Sequence, residues 1–193
     1  INFMKNQLQN ESRNTFIELY SKEPLGKNLI FIEVVKEYIE NTLNFEFDQI
    51  KNQNARIKII SLEKKLEYNL TIKNQNVKLK GIIDRIDMFN DELRIIDYKS
   101  GNVNSGVLDI KNIDKLKIDH KYSYLLQLLF YKYLFGINDA NIQIKEIGIC
   151  SLKKRNLPFQ FIKNQAILSV EEIQMIISDI IICLLYTSDA ADE

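Results

Sequence analysis

Three residues in the stretch "GIIDRIDMFNDELRIIDYKSG", positions 81–101, are of types that could hydrolyse a phosphate ester together: Asp84, Asp97 and Lys99. The stretch is two apolar runs around Asn90-Asp91. Asn and Asp both tolerate the left-handed backbone that a two-residue hairpin turn requires. That turn predicts the cross-strand pairs Phe89 with Glu92, Met88 with Leu93, Asp87 with Arg94, Ile86 with Ile95, Asp84 with Asp97, and Ile82 with Lys99. Side chains alternate across a strand, so Ile82, Asp84, Ile86 and Met88 would share one face with Lys99, Asp97, Ile95 and Leu93. Asp84 and Asp97 would then stand opposite each other with β-carbons about 4.5 to 5.5 Å apart, where like charges destabilise a strand pair. Burial against the apolar half of the face sharpens the repulsion, so a cation belongs between them.

Two cations can meet that need. Lys99 alone would make the trio a structural salt-bridge cluster. A divalent ion makes it a site: magnesium binds through one or two carboxylates, keeps several waters and takes substrate phosphate oxygens for the rest. Lys99 could then stabilise the charge that develops as water attacks phosphorus, or orient or deprotonate that water. The other face serves as a control. Asp87 opposite Arg94 reads as an ordinary cross-strand ion pair, worth roughly 0.2–1 kcal/mol, and receives no chemistry.

Elements around the hairpin must hold it in place. Leu29, Ile32, Val35, Ile39 and Leu43 recur at helical spacing and predict an amphipathic helix over 27–45, preceded by a loop with Pro24 and Gly26 and by another helix over 10–20. Segment 47–56 loses the periodicity and reads as a linker. Strands follow over 58–62, 65–72, 77–89 and 92–100, then a polar loop runs to about 117. Segment 122–135, dense in Leu, Phe and Tyr, is long enough to be a buried helix. A strand over 143–152, a short strand at "FQFI" and a helix opening at Ser169 complete the order, with Ser169 and Glu172 spaced as a capping box. This is a mixed α/β order.

The combined pattern resembles the PD-(D/E)xK nuclease superfamily, in the branch of the RecB and AddB helicase-nucleases. There an aspartate on one strand and D-x-K on the next are followed on a helix by Q-x-x-x-Y, which here is "QLLFY", Gln127 to Tyr131. The resemblance implies a restriction-endonuclease-like core, a central mixed β-sheet flanked by helices, with an antiparallel hairpin carrying the active site. It implies Asp84, Asp97 and the Tyr98 carbonyl as contacts to Mg2+ or Mn2+, Lys99 as the catalytic lysine, and Gln127 and Tyr131 bordering the site and helping hold the lysine and the DNA backbone. By spacing alone, Gln127 and Tyr131 would be an ordinary polar residue and an aromatic on a core helix.

The implied function is a metal-dependent DNA nuclease of exonuclease type, part of a helicase-nuclease in double-strand break repair, with DNA and a helicase subunit or domain as partners. A catalytically silent DNA-binding or scaffolding module of the same fold is the alternative. The branch also uses a histidine on an upstream helix as a metal ligand. The lone histidine, His120, follows D-x-K and reads instead as a solvated residue before a helix. The missing ligand is expected upstream of Ile1. Glu63 is a further carboxylate ahead of the active strands, read as a surface residue.

Composition fits this reading without demanding it. With 193 residues, 46% hydrophobic and 27% charged, the chain can bury one substantial core. No run is long enough to span a bilayer, and no signal peptide opens the chain, so a cytoplasmic protein is expected. "CLLYTSDAADE", positions 183–193, resembles the translation of a sequencing adaptor, so the expected single nuclease domain is 1–182, truncated at its N-terminus. Without that tail, 23 acids stand against 26 bases, and Cys150 is the one cysteine left, so neither an iron-sulfur cluster nor a cysteine-ligated zinc is expected. A stand-alone nuclease of the kind used in CRISPR spacer acquisition would carry such cysteines.

Overall fold

The computed structural model describes residues 2–116, 119–139, 143–163 and 168–189. The chain divides into two compact units, one of residues 1–55, 100–102 and 151–158, the other of residues 56–99, 103–150 and 159–193.

The first unit is built on two helices, α1 (Asn2–Tyr20) and α2 (Lys27–Asn52), joined through Gly26, whose φ of 56° suits a residue without a β-carbon. Phe16 packs its ring 4.7 Å from that of Tyr20, and Arg13 ties to Glu23 at 2.8 Å. Helix α2 does not stop at Phe45 as its apolar spacing predicts. It continues through the stretch read as a linker and ends at Asn52, because no proline or glycine interrupts 46–52.

The second unit carries a five-stranded mixed sheet in the order β1 (Ile57–Ile72), β2 (Gln75–Phe89), β3 (Glu92–Lys99), β4 (Ile144–Ser151) and β5 (Phe159–Phe161). The two strands expected over 58–72 are one, β1, kinked by a register shift between Ile59 and Ser61 and by Glu63 at φ 49°. It turns into β2 through Lys73 and Asn74, both left-handed, rather than through the longer "KNQN". The second hairpin turns on Asn90 and Asp91 at φ 50° and 67°, and its ladder pairs Phe89 with Glu92, Met88 with Leu93, Asp87 with Arg94, Ile86 with Ile95, and Arg85 with Ile96, the register that turn predicts.

Between β3 and β4 the chain makes short 3-10 turns and then helix α3 (Ser123–Asn138). Asn104, Asp109 and Asp119 each accept a backbone N–H two residues on, which starts these turns. Helix α3 is apolar nearly all round and is buried at Leu125, Leu128, Leu129, Tyr131, Tyr133, Leu134 and Phe135. Tyr133 meets Tyr68 of β1 edge-on at 6.1 Å. Helix α4 (Val170–Asp189) packs beside α3 and opens with the expected capping box: Ser169 N–H donates to Glu172 at 2.7 Å, and Glu172 N–H donates to Ser169 Oγ at 3.2 Å. It runs on past Ile182 into the adaptor-like tail as far as Asp189, and positions 190–193 lie outside the described residues.

Candidate active site

Asp84 stands on β2, and Asp97, Tyr98 and Lys99 on β3. The β2–β3 ladder ends at Arg85 and Ile96, one residue short of both aspartates. The expected direct pairings of Asp84 with Asp97 and of Ile82 with Lys99 are therefore not made. In their place the Asp84 carboxylate accepts the Tyr98 backbone N–H at 2.7 Å, doing across the gap what a strand carbonyl does within a ladder. The sequence pattern cannot show this, because it treats every residue of a hairpin as pairing through its backbone.

Asp97 is 2% exposed, and its carboxylate meets Gln127, Tyr131 and Lys99, all residues of the motif. Its Oδ1 accepts from Gln127 Nε2 at 3.0 Å, and Tyr131 Oη lies 3.4 Å away. The same Gln127 amide donates its second hydrogen to Tyr131 Oη at 2.8 Å, so one side chain braces two neighbours. Lys99 Nζ lies 2.7 Å from Asp97 Oδ2. Gln127 and Tyr131 thus brace Asp97 directly, and reach Lys99 through it. Burial pushes the Asp97 carboxyl above its ordinary value. Lys99 pulls it down, and the nearby Asp84 charge adds to the rise. Burial likewise raises the Tyr131 phenol, and the Asp97 and Asp84 charges add to that.

Lys99 has a second neighbour that the sequence reading missed. Its ammonium sits 5.3 Å from the centre of the Tyr124 ring, within cation–π range. Tyr124 lies three residues before Gln127 on α3, hence on nearly the same helical face, and that spacing was the available signal. Gly81, which opens the "GIIDRID" run, has a visible purpose. A β-carbon there would sit 3.0 Å from Leu134 Cδ1 and 3.4 Å from Tyr131 Cε1, so the glycine lets α3 bring Tyr131 close to β2.

The control pair behaves differently from expectation. Asp87 does pair with Arg94, at 2.9 Å to Nε and 3.0 Å to Nη2, but it also takes Arg85 at 2.5 Å, and all three are buried. This is a buried ion cluster, so the small energy of a solvent-exposed pair does not apply. His120 is exposed in the turn before α3, as expected, and Glu63 is exposed on β1.

Two carboxylates beside an ammonium fit a hard divalent ion that keeps waters and takes phosphate oxygens. Among the described residues, no three His, Cys, Asp or Glu gather into a larger ligand set. Asp84 and Asp97 would hold Mg2+ or Mn2+, which would supply positive charge to a bound phosphate.

No curated protein matches the chain. Among solved structures, the crystal structure of SSO0001 is similar over 94% of this chain and 86% of that one, at 15% identity and a TM-score of 0.40. The profile of the PD-(D/E)XK nuclease superfamily matches residues 4–175, which takes in both hairpin strands and the helix that braces Asp97. With an α/β fold of the restriction-endonuclease-like kind and a D-x-K strand end meeting Q-x-x-x-Y, the chain belongs to the PD-(D/E)XK nuclease superfamily.

Proposed function

We propose that this chain is a magnesium- or manganese-dependent DNA nuclease domain of exonuclease type, working in the cytoplasm within a helicase-nuclease that processes double-strand ends. Residues 1–182 make up the nuclease domain in this reading, and the adaptor-like tail is no part of it. The observation that carries it is the treatment of Asp97. A carboxylate kept nearly out of water, against its own desolvation cost and beside a second carboxylate, is poorly placed for stability and well placed to share a cation with Asp84. Asp84 and Asp97 hold the ion, with the Tyr98 carbonyl as a further contact. Lys99 presents its ammonium to the attacked phosphate, held ready by Asp97 and by the Tyr124 ring. Gln127 and Tyr131 fix the direction of the Asp97 carboxylate, so no reorientation is needed when substrate arrives.

Asp97→Ala and Lys99→Ala each abolish magnesium-dependent cutting of linear DNA in this reading, and full activity in either variant refutes it. One observation favours a second reading. Lys99 already neutralises Asp97, a self-sufficient pair that would suit a silent DNA-binding or scaffolding module. Calorimetry that detects neither magnesium nor manganese binding would decide for that module.

A further inference from the structure

The end of β3 that carries D-x-K is held to β2 by one residue beyond the ladder, and that residue is Tyr98. Its backbone N–H reaches Asp84 at 2.7 Å, and its phenol oxygen accepts from Arg85 Nη1 at 3.0 Å. Tyr98 is thereby fastened at both ends to two successive residues of β2. What fastens Arg85 lies deeper. Its Nη2 donates to Asp87 Oδ2 at 2.5 Å, and Asp87 grips the fork of Arg94 with both carboxylate oxygens. The Arg94 guanidinium lies 4.2 Å from the centre of the Phe89 ring and 5.8 Å from those of Phe159 and Phe161 on β5. Arg85, Asp87 and Arg94 are 4%, 0% and 3% exposed.

A buried cluster of two arginines and one aspartate is a poor way to stabilise a sheet, since apolar residues of similar volume commonly do as well or better. What such a cluster supplies is fixed direction: a planar fork makes several bonds at set angles. Here the last of those bonds is delivered to the residue between Asp97 and Lys99.

We infer that Arg85, Asp87 and Arg94 are positioning residues that act through the Tyr98 hydroxyl to hold Asp97 and Lys99 at a fixed distance from Asp84, so that both carboxylates can share one divalent ion. This rests on the metal-dependent reading of the site, and it gives the second aspartate of "DRID" a role in that site without contact to metal or substrate. The chain Arg94, Asp87, Arg85, Tyr98 is a line of support from β5 to the active end of β3.

The test uses the whole chain, with calorimetric titration of Mn2+ and thermal unfolding in EDTA. Tyr98→Phe keeps the ring and removes the single hydroxyl. Arg85→Lys keeps the charge beside Asp87 but lacks the fork that reaches Asp87 and Tyr98 together. Both variants remain folded in EDTA and bind Mn2+ at least about tenfold more weakly than the parent, the range in which residues supporting a metal ligand act. A merely structural role would lower the unfolding temperature in EDTA and leave the Mn2+ affinity of the folded protein unchanged, and that result overturns the inference. Asp97→Ala separates the two levels. If it loses Mn2+ binding while Tyr98→Phe and Arg85→Lys keep parental affinity, the support line alone is refuted. If Asp97→Ala binds Mn2+ as the parent does, the metal reading has failed and the inference falls with it.

Discussion

Replacing Asp97 with asparagine should make the metal-free protein more stable while removing its response to divalent ions. In the folded chain the Asp97 carboxylate is 2% exposed and feels the Asp84 charge. Desolvating a carboxylate costs several kcal/mol even after the protein relaxes. Against that stands the 2.7 Å pair with Lys99, whose side chain is 22% exposed, so the ammonium can return to water instead of staying buried without its partner. Asparagine keeps an Oδ1 to accept from Gln127, so that bond survives. The net gain is on the order of 1 kcal/mol, or roughly 2–4 °C in unfolding temperature for a chain of this size. The pH dependence follows the same sign. The folded state keeps the Asp97 proton to a higher pH than the unfolded chain, so the native state binds more protons between the two values. The stabilising contribution is complete below the ordinary aspartate range and is lost as pH rises through the raised folded value. Asp97→Asn flattens that fall. The assay is thermal unfolding in EDTA and in excess Mn2+, each across pH 3 to 8. The parent gains stability from Mn2+ by mass action and the variant does not. An Asp97→Asn protein that is less stable than the parent in EDTA, or that still gains from Mn2+, would refute the reasoning.

Gly148→Ala should cost about 1–3 kcal/mol or more in a urea titration, because the added β-carbon would press on the Gln160 carbonyl and lie 2.7 Å from Phe161 Cδ1 and 2.9 Å from its Cα, atoms held by the β4–β5 ladder. An unchanged midpoint would mean that β5 can move aside freely. Tyr133→Phe should stabilise the protein by roughly 1 kcal/mol near neutral pH, since the buried hydroxyl has no hydrogen-bond partner among the described residues. Burial pushes that phenol up to about 12, so the unfolded chain ionises first. The parent therefore loses stability between pH 10 and 12, and the variant loses less. A steeper fall in the variant would contradict this.

The parts of the fold that were legible in the sequence are those set by neighbours along the chain. Asn90-Asp91 fixed a turn, the turn fixed a register, and four of the six expected pairs are made because nothing but local backbone geometry decides them. The Ser169–Glu172 box is of the same kind. The reading failed where a side chain stood in for the backbone, as Asp84 does for a strand carbonyl, and where burial depends on distant elements. Asp87 and Arg94 read as an ordinary cross-strand pair because alternation assigns a face but cannot say what covers it. The long β1 was missed because Glu63 and the shift beside Ile59 interrupt the alternation by which strands are recognised. Tyr124 was passed over because an aromatic on a core helix says nothing about the charge it will meet.

That interruption of β1 has a further effect. A 16-residue strand at the end of a sheet offers a long row of backbone donors and acceptors to any strand that drifts by, including one from another copy of the same chain. The shifted register, the left-handed Glu63, and the exposed Lys58, Lys64 and Lys65 interrupt the regular strand and put charge along it, both of which work against such pairing. The irregular pattern of β1 is thus of the kind that discourages an end strand from pairing with another copy of the chain.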